Sequence, residues 1–209
     1  MNKKPLNRQT VERLVTYCRL LRSLPDDSPA NISATTIAQR LGLNQVLVRK
    51  DLAEISGSGK PKVGYFTQDL LSEIEEALGY NNTNSALLVG VGNLGRALLS
   101  YGGFEECGVN IEYAFDSNPE IVGKVFGNVT VLPSEKLSNM LERTQIHIGI
   151  ITVGAENAQM VCDQLTAGGI KAIWNFAPVR LNVPQNVMVR NENMAFSLSL
   201  LSQHLTSIL

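Results

Sequence analysis

The ten residues from Leu88 to Ala97, Leu-Val-Gly-Val-Gly-Asn-Leu-Gly-Arg-Ala, decide the fold of this chain. They place the pattern G-x-G-x-x-G after an apolar segment and before residues that favour a helix. In a strand–turn–helix unit, Gly90 would make the tight turn, Gly92 would let the backbone approach a pyrophosphate, and Gly95 would let helix and strand pack closely. The free N–H groups at the start of the helix favour an anion. The segment therefore predicts a dinucleotide-binding turn.

The sequence on either side of this segment alternates between apolar strands and helices. Continuous apolar strands joined by helices are typical of a parallel sheet that is covered on both faces. We therefore predict an α/β, Rossmann-type domain over residues 85–190. The predicted strands are 86–89, 111–115, 146–153, 172–176 and 187–189, and the predicted helices are 94–104, 134–143 and 155–167.

The type of nucleotide is indicated by Asp116, which ends the second predicted strand 21 residues after Gly95. An acid there can accept hydrogen bonds from the ribose hydroxyls and would repel a 2′-phosphate, which favours NAD(H) over NADP(H). Tyr101 lies two helical turns after Asn93 and could face the nicotinamide or simply pack. Later strand ends should line the same crevice. The predicted NAD(H)-binding residues are Gly90, Val91, Gly92, Asn93, Leu94, Gly95, Tyr101, Asp116, Ser117, Thr152, Val153, Asn175 and Phe176.

The first eighty residues predict a separate helical domain, residues 1–80. An apolar stripe over residues 11–24 predicts a first helix. Two short helices follow, joined by a turn at Gly42, which is the helix-turn-helix pattern. The second of them is predicted to bury an apolar face that includes Val46. Residues 56–62 have the composition of a hairpin wing, and residues 67–78 predict a last helix that ends at Gly79.

Charge is divided unevenly between the two parts. Residues 1–62 carry eleven basic and five acidic residues, whereas residues 63–209 carry seven and fourteen. A basic front part suggests that only this part meets a polyanion. Arg and Gln can read base edges and Lys contacts phosphate, so we predict that the second helix and the wing bind double-stranded DNA. The predicted DNA-binding residues are Asn44, Gln45, Arg49, Lys50, Lys60 and Lys62, with further backbone contacts from Lys3, Lys4, Arg8 and Arg13.

Other function classes lack support in the sequence. The only histidines, His147 and His204, have no serine–acid partners or metal-ligand spacing near them, so we predict neither an enzyme nor a metal site. Cys18, Cys107 and Cys162 are odd in number and far apart, which indicates reduced core thiols of a cytoplasmic protein. No apolar run approaches the length of a membrane helix. Residues 195–209 predict an apolar C-terminal helix that must pack on another surface.

Together these features resemble the Rex family of redox-sensing transcriptional repressors. The resemblance rests on six segments: RLVTY at 13–17, VRKDL at 48–52, VGY at 63–65, GVGNLGRAL at 90–98, AFD at 114–116 and GIKAIWNFAPV at 169–179. It implies a winged helix-turn-helix domain, a Rossmann domain, and a homodimer that exchanges its C-terminal helices, residues 191–209. It also implies operator binding that NADH reverses through a rotation of the subunits, with Arg19, Tyr101 and Phe196 carrying the signal between them.

Two departures from the family pattern stand out. Where the family has an acid that is linked to Arg19 and Tyr101, this chain has Ala195. The wing region, residues 54–65, keeps Val-Gly-Tyr at its end but lacks the aromatic residues at the start of the family pattern and its arginine. Two alternatives therefore stay open at this stage: a small NAD-dependent oxidoreductase, and a DNA-binding protein whose nucleotide is coenzyme A or a structural NAD.

Overall fold

The computed structural model describes residues 6–25, 27–82 and 84–208 of the chain. They form two compact units, residues 1–82 and 83–209, and the division falls inside the polar segment 81–84 that separates the two predicted domains. Lys3 and Lys4, which the sequence predicted to contact the DNA backbone, lie outside the described residues.

The N-terminal unit consists of four helices and one short β-ladder. Asn7, Ser33 and Asn44 each begin a helix, because their side chains accept a hydrogen bond from a backbone N–H of the first turn. Gly42 ends the second helix in the left-handed conformation that glycine adopts without strain. The elements are α1 (Arg8–Arg22), β1 (Asn31–Ile32), α2 (Ala34–Leu41), α3 (Gln45–Ile55), β2 (Tyr65–Phe66) and α4 (Thr67–Leu78).

One apolar core holds these helices together, and β1 pairs with β2 in an antiparallel ladder beside it. The predicted wing hairpin contains a single bridge, between Lys60 and Gly64. One prediction for α3 is wrong: Val46 is 73% exposed rather than part of the buried face. The buried face passes through Val48 and Leu52, and a residue two positions before Val48 points to the opposite side of the helix.

The C-terminal unit has the predicted Rossmann-type architecture. Its elements are β3 (Asn84–Val89), α5 (Asn93–Leu99), β4 (Val109–Asp116), β5 (Val125–Phe126), β6 (Val129–Pro133), α6 (Leu137–Arg143), β7 (Ile148–Ile151), α7 (Ala155–Ala167), β8 (Ala172–Asn175), β9 (Met188–Asn191) and α8 (Met194–Ile208). The strands form one sheet in the order β5-β6-β4-β3-β7-β8-β9, in which only β5 runs antiparallel to its neighbour. The order reverses at β3, which creates the crevice where such sheets bind ligands.

The two faces of the sheet are packed by different helices. Leu87 and Val89 of β3 point into a core cluster with α6 and α7, whereas Ala86 and Leu88 point into the cluster that contains Leu99 of α5. This alternation follows from the two-residue period of a strand. Burial on both faces explains why β3 reads as an uninterrupted apolar run.

The structure corrects several predicted elements of this unit. The helix predicted over 94–104 ends at Leu99, and a 3₁₀ helix covers Gly102–Cys107, because Tyr101 has an extended backbone and two glycines follow it. The strand predicted over 146–153 pairs with its neighbours only over Ile148–Ile151. Neither β5 nor β6 was predicted, since β5 has only two residues and the apolar pattern of β6 is interrupted by Thr130. Cys107 is exposed rather than part of a core, while Cys18 and Cys162 are buried as predicted.

Candidate functional site

The glycine loop between β3 and α5 has the geometry that the motif predicts. Gly90 adopts a φ of 100°, and a side chain there would lie 2.8 Å from the backbone of Thr152. A Cβ at Gly95 would lie 2.2 Å from the carbonyl oxygen of Gly90, so only glycine lets α5 approach the loop. A Cβ at Gly92 would meet nothing within 4 Å. The fold therefore requires glycine at 90 and 95, and the space beside Gly92 is open for a ligand.

Asp116 lies at the end of β4, directly beside this loop. Its Oδ2 accepts a hydrogen bond of 2.6 Å from the backbone N–H of Val91, and its Oδ1 accepts one of 2.8 Å from the N–H of Asn118. These bonds hold the carboxylate against the loop. Each oxygen retains a second lone pair that could accept a hydrogen bond from a ribose hydroxyl.

A cavity of about 310 Å³ opens next to Asp116. It brings together four of the predicted residues, Gly90, Asp116, Ser117 and Val153. The other lining residues were not predicted: Val89, Ser134, Glu135, Leu137, Asn157, Met160, Val161 and Gln164. Ser134 and Glu135 follow β6, which had no clear strand signal. The α7 residues recur at spacings of three and four, and this pattern could have indicated that one face of α7 lines the site.

Two other predicted residues hold the protein itself together. The Thr152 hydroxyl donates a hydrogen bond of 2.6 Å to the carbonyl oxygen of Gly90 and so fixes the loop. The Asn175 side chain is fully buried, and its amide group contacts Asn191 and the backbone of Ala177 and Val179. Its hydrogen bonds position the turn after β8, so its side chain does not line the cavity beside Asp116.

Tyr101 and Phe176 lie at the two ends of a row of aromatic rings. Tyr101 packs edge-on against Phe104, with ring centroids 4.9 Å apart; Phe104 contacts Trp174 at 5.7 Å, and Trp174 contacts Phe176 at 4.5 Å. Tyr101 is 57% exposed and lines a second cavity, of about 430 Å³, rather than the one beside Asp116. The structure thus links Tyr101 to Phe176 through packed rings.

In the N-terminal unit, α3 presents its cations to solvent. Arg49 and Lys50 are exposed, whereas Val48, Asp51 and Leu52 are buried. The other two predicted residues of this helix are engaged within the protein. Asn44 caps α3, with its Oδ1 accepting hydrogen bonds from two backbone N–H groups, and the Gln45 amide donates to the hydroxyl of Thr35 in α2.

The wing lies beside the start of α2. Its tip is a turn, in which the N–H of Val63 donates a hydrogen bond to the carbonyl oxygen of Lys60. Within this turn Lys62 adopts the left-handed conformation, with φ at 66°. Lys60, Lys62 and Arg49 line a common cleft of about 550 Å³. Three cations around one cleft produce a positive surface that suits phosphate groups.

Asp51 forms a buried network that fastens α3 to α1. Its carboxylate accepts bonds of 2.6 and 2.7 Å from Arg13 and one of 2.8 Å from the Tyr17 hydroxyl. The hydrogen bond to Asp51 raises the pKa of Arg13, and burial together with Asp51 raises the pKa of Tyr17. Arg13 was predicted to contact the DNA backbone, but its guanidinium group is held by Asp51. Arg8, predicted for the same role, forms an ion pair with Glu12.

Two of the residues predicted to carry the signal between subunits are exposed within their own units. Arg19 lies on the surface of α1, and Phe196 lies near the start of α8 with a 59% exposed side chain. Over the described residues, no group of acidic, histidine and cysteine side chains could hold a metal ion. No helix in that part of the chain is long and apolar enough to cross a membrane.

Comparison with known proteins finds a matching family model for part of each unit. A family model described as a putative DNA-binding protein N-terminus matches residues 6–53, and one described as a CoA binding domain matches residues 81–179. The redox-sensing transcriptional repressor Rex of Carboxydothermus hydrogenoformans is 40% identical over 193 residues, 92% of this chain and 93% of that protein. Its counterpart in Bacteroides fragilis is 35% identical over 196 residues, covering 94% and 89%.

Solved structures agree with the sequence relatives. RSP, a Rex-family repressor, was crystallised with β-NAD⁺ and operator DNA. Its structure matches this chain with a TM-score of 0.91 and 33% sequence identity, and the match covers 98% of this chain and 94% of the RSP chain. The structure of RSP with β-NADH has a TM-score of 0.84 at the same identity, over 98% and 96%. Identity of this extent over nearly the whole length of both proteins shows that the chain belongs to the Rex family of redox-sensing transcriptional repressors.

Proposed function

We propose that this protein is a transcriptional repressor that binds operator DNA and responds to the balance of NADH and NAD⁺, with NADH releasing it from DNA. The observation that carries the proposal is the presence of two sites in one chain: the glycine loop with Asp116, and the exposed cations of α3 and the wing. The names of the relatives and the ligands of the RSP structures support both assignments.

The residues of the glycine loop fit a dinucleotide. The open space at Gly92 would admit the pyrophosphate against the backbone N–H groups at the start of α5, and Asp116 would accept hydrogen bonds from a ribose. The cavity beside Asp116, with the exposed side chain of Met160 on its wall, would take the adenine. When bound, the nicotinamide supplies a ring whose charge and shape differ between NAD⁺ and NADH. Tyr101 is the residue that we assign to sensing it.

The N-terminal unit would bind the operator. Arg49 of α3, which is exposed, would pair with a guanine in the major groove, and Lys50 would contact phosphate. Lys60 and Lys62 on the wing, which share a cleft with Arg49, would hold the adjoining phosphates or the minor groove. The engaged side chains of Asn44 and Gln45 would act mainly by fixing the start of α3.

The proposed assembly is a homodimer that exchanges α8 between subunits. Residues 194–208 contain no Asp, Glu, Lys or Arg, and the exposed apolar residues lie on more than one side of the helix: Phe196, Leu198, Leu200, Leu201 and Leu205. An uncharged helix with large apolar side chains on several sides normally has them covered by another surface. A second copy of the chain would bury it, and it would bring Phe196 close to the partner's site. Arg19 and Tyr101 would complete this signalling contact without an acid at Ala195.

A DNA-binding assay tests redox sensing. Duplexes selected from a random pool by the purified protein would be titrated in the presence of NAD⁺ or NADH, with fluorescence anisotropy as the readout. We expect NADH to weaken binding. Asp116→Ala should bind the duplex but lose the response to NADH, whereas Glu120→Ala, which removes an exposed acid of the same loop, should keep it. Equal DNA affinity with both nucleotides would contradict the proposal.

Calorimetry distinguishes the nucleotide alternatives. NADH, NAD⁺, NADPH and coenzyme A would each be titrated into the purified protein and into Asp116→Ala. We expect NADH to bind more tightly than NADPH, because Asp116 repels a 2′-phosphate. Coenzyme A binding that exceeds NADH binding and is unchanged in Asp116→Ala would instead favour the non-redox alternative. Steady consumption of NADH with any carbonyl substrate would favour the oxidoreductase.

Light scattering tests the dimer. Leu201→Glu places a charge on the apolar helix and should yield a monomer. Gln203→Glu adds the same group to an exposed polar position of α8 and should remain dimeric. A monomeric wild type would contradict the exchanged-helix assembly while leaving the two binding sites in place.

A further inference from the structure

The first turn of α3 contains one side chain that the protein leaves unused. Asn44 caps the helix, and Gln45 donates to Thr35. The next residue, Val46, is 73% exposed, the second-highest value among the large apolar side chains of the described residues. In a helix-turn-helix, the N-terminal residues of the second helix are those that reach base edges. The residue best placed to do so here is therefore apolar.

Val46 also lies at the centre of the solvent-facing side of α3. The buried stripe is formed by Val48, Asp51 and Leu52. Residues three and four positions apart are neighbours on a helix, so Arg49 and Lys50 flank Val46 on either side. Both cations are exposed. An apolar patch between two cations matches the chemistry of a major groove, where a methyl group can lie between phosphate-lined walls.

The position of Val46 has no apparent benefit for the fold. A β-branched residue is a poorer helix former than alanine, and an exposed one gains no burial in return. The side chain contributes to no core cluster of the N-terminal unit. Its benefit must come from contact with something outside the unit, and the positive charge beside it selects an anionic polymer.

We infer that the methyl groups of Val46 contact the C5-methyl group of a thymine in the operator, which makes Val46 a specificity-determining residue. The inference rests on the proposed binding of α3 in the major groove. Beyond that proposal, it specifies which base and which atom are contacted. Thymine is the only base with a methyl group in the major groove, and apolar side chains recognise this group there.

The test removes one methyl group at a time from the DNA. Each thymine of the selected duplex is replaced by deoxyuridine, which lacks only the C5-methyl group, and the affinities of wild type, Val46→Ala and Val46→Thr are compared. For wild type, we expect each half-site to contain one thymine whose single replacement weakens binding about fourfold. This factor corresponds to the free energy of burying one methyl group. Val46→Ala should bind the unmodified duplex at least fourfold more weakly and be insensitive to replacement at that position.

Two controls separate recognition from folding. Val46→Ala raises helix propensity, so a loss of affinity cannot come from a weakened α3. Val125→Ala removes the same methyl groups from an exposed strand of the C-terminal unit and should leave every affinity unchanged. Val46→Thr keeps the volume and one of the two methyl groups, so its affinity should lie between those of wild type and Val46→Ala.

The outcomes are distinct. Loss of the deoxyuridine effect at one position in Val46→Ala supports the inference. A Val46→Ala protein that binds as tightly as wild type, or that remains sensitive at every thymine, overturns it while leaving operator binding established. If the protein selects no duplex at all, the proposed function and this inference both fall.

Discussion

Replacing Asp51 with alanine should selectively destabilise the N-terminal unit. The carboxylate accepts three hydrogen bonds, two from Arg13 and one from Tyr17, and its side chain is 3% exposed. Its removal leaves a largely buried guanidinium group and a fully buried hydroxyl without their acceptor. Removing one partner of a buried ion pair costs about 3–5 kcal/mol. Because the Arg13 side chain is 20% exposed and can regain some water, we expect about 3 kcal/mol.

A double-mutant cycle separates the two partners. Tyr17→Phe removes one hydrogen bond to a charged group and should lower the free energy of unfolding by about 1.5–2 kcal/mol. Once Asp51 is gone, the Tyr17 hydroxyl has no acceptor, so the same substitution should then cost almost nothing. The two effects should therefore fall short of additivity by about 1–2 kcal/mol, as expected for residues in one network. Glu54→Ala, an exposed acid of the same helix, should change stability by less than about 0.5 kcal/mol.

Urea unfolding with two optical signals measures the effect. Trp174, the only tryptophan of the sequence, lies in the C-terminal unit, so its fluorescence follows that unit, whereas far-UV circular dichroism follows both. We expect the dichroism of Asp51→Ala to show an early transition that the tryptophan does not share. A loss below about 0.5 kcal/mol, or a loss equal to that of Glu54→Ala, would refute the structural role of the network.

Three further predictions concern the loop, the alkaline limit and the turn after β8. Gly95→Ala should lower the stability of the C-terminal unit in urea, because its Cβ would lie 2.2 Å from a carbonyl oxygen. Gly92→Ala should fold normally, since its Cβ would meet nothing within 4 Å, but it should lose NADH affinity in calorimetry. A Gly92→Ala protein with wild-type affinity would contradict the pyrophosphate assignment. The raised pKa of Tyr17 favours its neutral form in the fold, so the stability that it provides is present below the ordinary value near 10 and is lost as the pH rises through the folded-state pKa. Urea midpoints measured from pH 8 to 12 should fall less steeply in Tyr17→Phe, and identical slopes would count against the prediction. Asn175→Ala should lower the free energy of unfolding by about 2–3 kcal/mol, because it leaves several buried polar groups unpaired. Trp174 fluorescence in urea would report it, and a stability equal to that of wild type would argue against this role.

Local sequence signals predicted most of the fold. The glycine loop, the apolar strands and the helix caps act over a few residues, so their patterns could be read directly. Five strands and the helix-turn-helix were therefore predicted correctly. The hairpin of β5 and β6 was missed, because a two-residue strand is held by its partner rather than by its own composition.

The binding surfaces were predicted only in outline. Gly90, Asp116, Ser117 and Val153 do line one cavity, but the α7 residues that also line it were not predicted, although they recur at spacings of three and four. Tyr101 lines the other cavity, of about 430 Å³. The helix predicted to include Tyr101 ends at Leu99, so Tyr101 does not continue the helical face that begins at the glycine loop.

The sequence by itself determined which residue types we propose for ligand binding: glycines that admit a backbone approach, one acid at a strand end, and a basic helix-turn-helix. Only the tertiary structure decided which polar side chains are engaged within the protein and which are exposed to a ligand. Arg13 and Asp51 are 38 residues apart, yet they form one ion pair, and this pair holds the guanidinium group of Arg13 within the protein. The apolar pattern of α3 placed Val46 on the buried face, and only the packed helices showed that this face passes through Val48 and Leu52 and that Val46 faces outward. The physical reason is that propensity and turn chemistry act between neighbours in sequence, whereas burial and hydrogen-bond partners depend on segments that are distant along the chain.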